Sequence, residues 1–167
     1  LKETVGWCAK AVDSLADRLQ FDEFQNDEFD LSEIFLSNNQ DILIDSAVLS
    51  ALISACSFVY IREDNGYPRL QVIDGSNATG IIDPVTNLLT EGYAVLERDS
   101  MGVVKTEAYF MAGMTEIYSH GVLVQRIPNA APYALLVPII YRPDAKRPFG
   151  HSRISRACIA LSLIHIS

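Results

Sequence analysis

The chain is poor in the residue types that carry most enzyme chemistry. Its 167 residues include three cysteines, three histidines and one tryptophan. Cys8, Cys56 and Cys158 lie far apart on apolar faces, with no Cys-x-x-Cys or other metal spacing. Neither a disulfide framework nor a zinc knuckle is written there, and an odd count fits buried thiols in a reducing compartment. His120 falls in a tight turn, His151 at a helix start and His165 near the C-terminal end. None has a second imidazole three or four residues away, as a shared zinc requires. No cofactor and no metal are expected.

Positive charge is scarce as well. Thirteen Lys and Arg face 21 Asp and Glu, a net charge of −8. A protein that coats nucleic acid by neutralising phosphates needs the opposite balance. Long apolar runs are missing: a membrane helix needs roughly 18 residues. The nearest candidate, Val48 to Ile61, is broken by Ser50, Ser54, Ser57 and the Tyr60 hydroxyl. No signal peptide, internal repeat or low-complexity segment is evident. Neither Gly-x-x-x-x-Gly-Lys-Ser/Thr nor Gly-x-Gly-x-x-Gly occurs, which removes the common nucleotide-binding loops.

What is present is core material. Hydrophobic residues make up 49% of the chain, and a chain of this size buries roughly 70% of its unfolded surface. A folded domain is expected over residues 1–161. The sequence starts inside one helical pattern and stops inside another, as a fragment would. Residues 162–167 lack a polar face and are set aside as a truncation or cloning scar.

Thr4 to Leu19 places Val5, Cys8, Val12, Leu15, Ala16 and Leu19 at helical spacing, with Asp13, Asp17 and Arg18 off that face. Arg18 to Phe24 then alternates imperfectly, as a short strand. Asp30 or Ser32 is expected to cap a short helix through Leu36, which Asn38-Asn39-Gln40 breaks. Asp41 to Cys56 forms a second helix with a wide apolar stripe, expected to be the most buried.

The period then changes. Phe58 to Ile61 and Leu70 to Ile73 flank Asn65-Gly66, a pair that suits a primed turn. Turn signals at Asp99 to Gly102, Ala112-Gly113 and Ser119 to Gly121 separate Tyr93–Arg98, Val103–Met111, Met114–Ser119 and Val122–Ile127. Ile81-Ile82 reads as an extra strand before a turn at Asp83-Pro84, and Leu135 to Ile140 as a late strand interrupted by Pro138. The fold class is α+β: N-terminal helices packed on an antiparallel β-meander, closing with a helix.

That closing helix follows a stiff, basic connector. Pro138, Pro143 and Pro148 fix φ and remove amide donors. Gly150-His151-Ser152-Arg153-Ile154 then opens the helix, with Ser152 placed to cap its first turn. A serine nucleophile on this segment, using His151 or His120, would need the Gly-x-Ser-x-Gly elbow, and Ile154 stands at the last position. The acidic loop Asp22 to Asp30 lacks the alternation and central glycine of a calcium loop.

Charge is unevenly distributed. Residues 1–33 hold nine acids and three bases, whereas 142–156 hold five bases and Asp144 alone. Such charge runs are most simply solvated faces; opposite patches on one domain also suit self-association, one face meeting the next copy's other face. On that basis Arg142, Lys146, Arg147 and Arg153 are expected to contact a neighbour's Asp22, Glu23, Asp27 and Glu28, or a shell around the assembly.

Three segments carry a family resemblance. They are Val12 to Leu19; Asn38-Asn39 through Ser57-Phe58-Val59-Tyr60-Ile61; and Val137 through Arg142-Pro143 to Gly150-His151-Ser152-Arg153-Ile154. In this order they resemble the N-terminal wing region of tailed-bacteriophage portal proteins of the gene-product-six group. One departure falls at Ala55-Cys56, where family members often show Tyr-Gly.

The resemblance implies a structural role and no enzyme activity. A ring of subunits, typically twelve, sits at a capsid vertex as the head-tail connector, through which DNA is packaged and ejected. It implies assembly in the host bacterial cytoplasm and a final place in the virion. The implied partners are further copies of itself, the terminase large subunit, the major capsid or scaffolding protein and head-completion proteins. Double-stranded DNA passes without sequence-specific binding, and no membrane is involved. The closing helix would lead toward the portal stem; stem, clip and crown would lie beyond residue 167. The alternative is a non-viral β-rich ligand-binding module, which exposed aromatics converging on a pocket would favour.

Overall fold

The computed structural model describes residues 6–19 and 21–154. Thr4, Val5, Cys158, His165 and the closing helix after Ile154 lie outside them. Within the described residues the chain is α+β, with three helices and antiparallel sheets of three and five strands. It divides into two compact units, Leu1–Ser57 with Ile139–Ser167, and Phe58–Pro138.

The first unit carries α1 (Gly6–Ala16), α2 (Leu31–Ser37) and α3 (Gln40–Ser54). Buried Leu43, Ala47, Ala51 and Leu52 follow the helical period on α3, and Val12 is buried on α1, which packs against it. Helix α2 is shorter than two turns and buries nothing. The helix expected to be most buried is indeed α3.

Two local expectations fail. Among the described residues no strand forms over Arg18 to Phe24. Instead Phe21, Phe24 and Phe35 cluster, with ring centroids 4.9 Å apart for Phe21–Phe24 and for Phe24–Phe35 and 5.8 Å for Phe21–Phe35. In an extended strand Phe21 and Phe24 would point to opposite faces. Ring packing needs them together.

Asp30 holds the N-cap position of α2, but neither it nor Ser32 supplies the side-chain cap. Asp30 sits in the left-handed region (φ 53°) and makes no side-chain cap bond, since capping geometry wants an extended backbone at that position. Asp27 supplies the carboxylate instead, accepting from Leu31 N at 2.6 Å and Ser32 N at 2.7 Å. The break at Asn39 is as expected, with φ 56°. Helix α3 ends at Ala55, whose φ of 79° is unusual for a residue with a Cβ.

The strands are β1 (Cys56–Asp64), β2 (Tyr67–Asp74), β3 (Ala78–Ile82), β4 (Leu89–Arg98), β5 (Val104–Met111), β6 (Met114–Ser119), β7 (Val122–Pro128) and β8 (Leu136–Ile140). The chain enters the second unit within β1 and leaves it within β8. A single meander was expected; the order is β2-β1-β8 in one sheet and β3-β4-β5-β6-β7 in the other. Strand β1 is too apolar for an edge: Phe58 and Tyr60 are both buried, so it takes β8 as a second neighbour. Strand β8 is then an edge, where Pro138 costs no ladder bond. The Asn65-Gly66 turn has φ of 52° and 84°, as a primed hairpin requires.

The two faces of the five-stranded sheet differ. One runs Gly80, Gly92, Phe110, Thr115 and Ile127 in register. A Cβ on Gly92 would stand 3.0 Å from Leu136 Cδ2, so glycine here lets Leu136 approach the sheet. Phe110 is fully buried and meets Tyr60 edge-on at 5.0 Å. The other face carries Tyr93, Tyr109 and Tyr118, whose hydroxyls donate to Glu107, Glu91 and Glu116. Those carboxylates favour the protonated phenol and push all three tyrosines above their ordinary value.

Candidate functional site: the connector after β8

In the first unit, the connector is fastened to the helices at three points. Gly150 (φ 79°) passes so close that a Cβ would stand 2.3 Å from Tyr141 O and 3.1 Å from Ala55 O. Ser152 donates its hydroxyl to Ile53 O near the end of α3 and accepts from Ile154 N at 3.2 Å. The Ile154 contact is of the kind expected of a cap at this position, and the Ile53 contact adds a tether. Arg153 donates Nε to Ala11 O of α1 and Nη1 to the Tyr141 hydroxyl at 3.2 Å. The guanidinium fork joins two elements in one plane, which a lysine could not do.

A second cluster shapes the loop itself. Asp144 Oδ1 accepts from Lys146 N and Arg147 N, each at 2.8 Å, and Asp144 Oδ2 lies 2.6 Å from His151 Nε2. Arg147 Nη1 lies 3.2 Å from His151 Nδ1. A guanidinium only donates, so Nδ1 accepts and Nε2 carries the hydrogen given to Asp144. The His151 contact and then the Arg147 amide hold the Asp144 carboxyl below the usual carboxylate range. His151 thus faces Asp144 and Arg147, while Ser152 turns to Ile53; no nucleophile–base pair forms between these neighbours.

The sequence-predicted contact residues separate into two groups. Arg142, Lys146 and Arg147 are exposed, with Arg142 lying 5.7 Å from the Tyr141 ring centroid. Arg153 is half-buried and internally bonded, so it belongs to the joint. Asp22, Glu23 and Glu28 are exposed, whereas Asp27 is committed to α2. The Ser32 hydroxyl and the amides it accepts from hold Asp27 below the usual range. Among the described residues no ion pair links this acidic segment to the basic loop.

Sequence reasoning missed an acidic groove on the same unit. It measures about 690 Å³, with Asp13, Asp17, Asp41 and Asp45 around Ala16, Leu19, Phe21, Ile44, Val48 and Leu49. The signal was present as i, i+4 aspartate pairs, Asp13 and Asp17 at the end of α1 and Asp41 and Asp45 on α3, but only the packing of the two helices brings them to one groove. Tyr141 and Gly150 were also missed as anchors. Nothing in the sequence shows a hydroxyl waiting for Arg153.

The second unit holds a cleft of its own, of about 750 Å³. No helix among the described residues is long and apolar enough to cross a membrane, and none of their His, Cys, Asp and Glu residues group as metal ligands. No protein-family model and no curated protein matches the chain.

Proposed function

We propose that this chain is the wing region of a phage portal subunit, a structural part of the head-tail connector ring. The observation that carries the reading is the fastened connector. The segment most similar to the portal family, Gly150 to Ile154, is bonded through Ser152 and Arg153 to backbone carbonyls of α3 and α1. A joint so fastened would transmit force.

The closing helix would lead on toward the stem. Copies, typically twelve, would assemble in the bacterial cytoplasm and end in the virion. The ring would engage the terminase large subunit, the capsid or scaffolding protein and head-completion proteins. Its acidic balance would let DNA slide past without sequence-specific binding. Exposed Arg142, Lys146 and Arg147 would meet the acidic surface of the next copy, Asp22, Glu23 and Glu28 together with the groove aspartates.

Charge reversal of Arg142 and Lys146 in the full-length protein is expected to disrupt rings seen by negative-stain microscopy while leaving the melting temperature unchanged. Unaltered rings would overturn this contact. A second reading, the β-rich ligand-binding module, draws on the cleft in Phe58–Pro138; a full-length protein that stays monomeric at high concentration would favour it.

A further inference from the structure

The cleft of the second unit contains two polar atoms that the fold leaves without partners. Thr115 Oγ1 and Asn129 Nδ2 are both buried and hydrogen-bonded to nothing among the described residues. Thr115 is only 2% exposed. Both residues line the cleft. Thr115 stands opposite Ile127 in the β6–β7 register, so Asn129, two residues further on, is its diagonal neighbour. The Asn129 amide is oriented, because its Oδ1 accepts from Ala131 N at 3.0 Å. That leaves Nδ2 as the unpaired donor on one cleft-lining residue and the Thr115 hydroxyl as a second on its diagonal neighbour.

A buried donor without an acceptor destabilises a fold by about 1–3 kcal/mol. Two on diagonal neighbours, in a cleft walled by Leu96, Ile117, Ile127 and Leu135, fit the pattern of a ligand site: an apolar body with a few polar groups. The cleft volume of about 750 Å³ is within the range of small-molecule pockets. The rim charges nearly cancel, Arg62 against Glu63, with Glu97 already paired to Lys105 at 2.7 Å. A strongly charged ligand gains little there.

We infer that this cleft binds an uncharged small molecule through a carbonyl oxygen, which accepts from Thr115 Oγ1 and Asn129 Nδ2 while its apolar body fills the space between the sheets. The inference rests on the second unit alone and is independent of the portal reading.

The probe is caprolactam, an apolar ring with one amide carbonyl, titrated into the full chain and followed by amide and methyl NMR shifts. Saturable shifts are expected at Thr115, Ile117, Ile127 and Asn129. Cyclohexanecarboxylate and azepane, the anionic and cationic counterparts, should bind at least about tenfold more weakly. Thr115→Val keeps the shape and deletes the hydroxyl. It is expected to weaken caprolactam at least about tenfold and to raise the melting temperature by about 2–4 °C. Asn129→Asp retains the acceptor for Ala131 and should abolish binding. Tight binding of either charged probe would overturn the inference. So would a lowered melting temperature in Thr115→Val, which would mean the hydroxyl is satisfied by the fold. A raised melting temperature without any caprolactam shift would mean the two groups are merely hydrated, and would overturn it too.

Discussion

Positive φ is required in both units, but for different reasons. In the hairpins of the second unit, a Cβ added at Gly66, Gly102 or Gly121 would meet nothing within 4 Å. Glycine is there for the dihedral alone. At Gly150 in the first unit the same dihedral coincides with backbone contact on two sides, at Tyr141 O and Ala55 O. One region uses glycine to turn the chain, the other to bring two stretches of chain together. The first role tolerates replacement by Asn or Asp, which visit this region at little expense; the second does not.

Gly150→Ala should therefore be the most damaging of the simple changes. The added methyl cannot coexist with Tyr141 O at 2.3 Å, and a loss of at least about 3 kcal/mol is expected. Gly66→Ala should lose only about 1 kcal/mol. Equal losses in urea unfolding would break the distinction between the two turns.

Ala55 tests the comparison from the other side. It has glycine's dihedral without being glycine, with φ 79° and ψ −34°. Ala55→Gly is expected to stabilise by about 1 kcal/mol, as relief of strain exceeds the added chain entropy. A destabilised variant would show that the α3–β1 junction is relaxed as it stands.

The smallest effect concerns acid. Asp27 in the first unit and Asp83 in the second both lie below the ordinary value of 3.8. The Ser32 side chain and amide favour the Asp27 carboxylate, and the Val85 amide that of Asp83. The unfolded chain returns both to 3.8. Their contribution to stability is therefore complete above that value and is lost as pH falls through the lower, folded values. Urea midpoints measured from about pH 5 down to about pH 3 should drop for the parent chain and drop less for Asp27→Asn and Asp83→Asn. Identical slopes would mean that neither carboxylate is held by its amides.

Much of the fold was legible because the patterns were strong. Apolar spacing over Asp41 to Cys56 and the alternating runs from Tyr93 to Ile127 could adopt few other periods, and Asn65-Gly66 dictated its turn. The failures came where short segments chose partners distant in sequence. Phe21 and Phe24 left the strand pattern to join Phe35. Asp27, one turn upstream, took the capping role from Asp30. The β1–β2 hairpin abandoned the meander because β1 needed covering on both edges.

The candidate sites divide in the same way. Ser152 as a cap was readable, since capping depends on residues two apart. Arg153 as a strut was not, because its acceptor at Ala11 lies 142 positions away. The pairing of Thr115 with Asn129 depends on the β6–β7 register.

By itself the sequence determined the class of elements, their order, the excess of negative charge and the basic connector. These are set by local spacing and composition, which need no knowledge of the remainder of the chain. Only the tertiary structure decided which bases remain exposed, which glycine is crowded and which polar atoms lack partners. Exposure, contact and hydrogen-bond satisfaction belong to pairs of groups, and the pairs that fasten the connector and crowd Gly150 against Ala55 are formed by residues far apart in sequence.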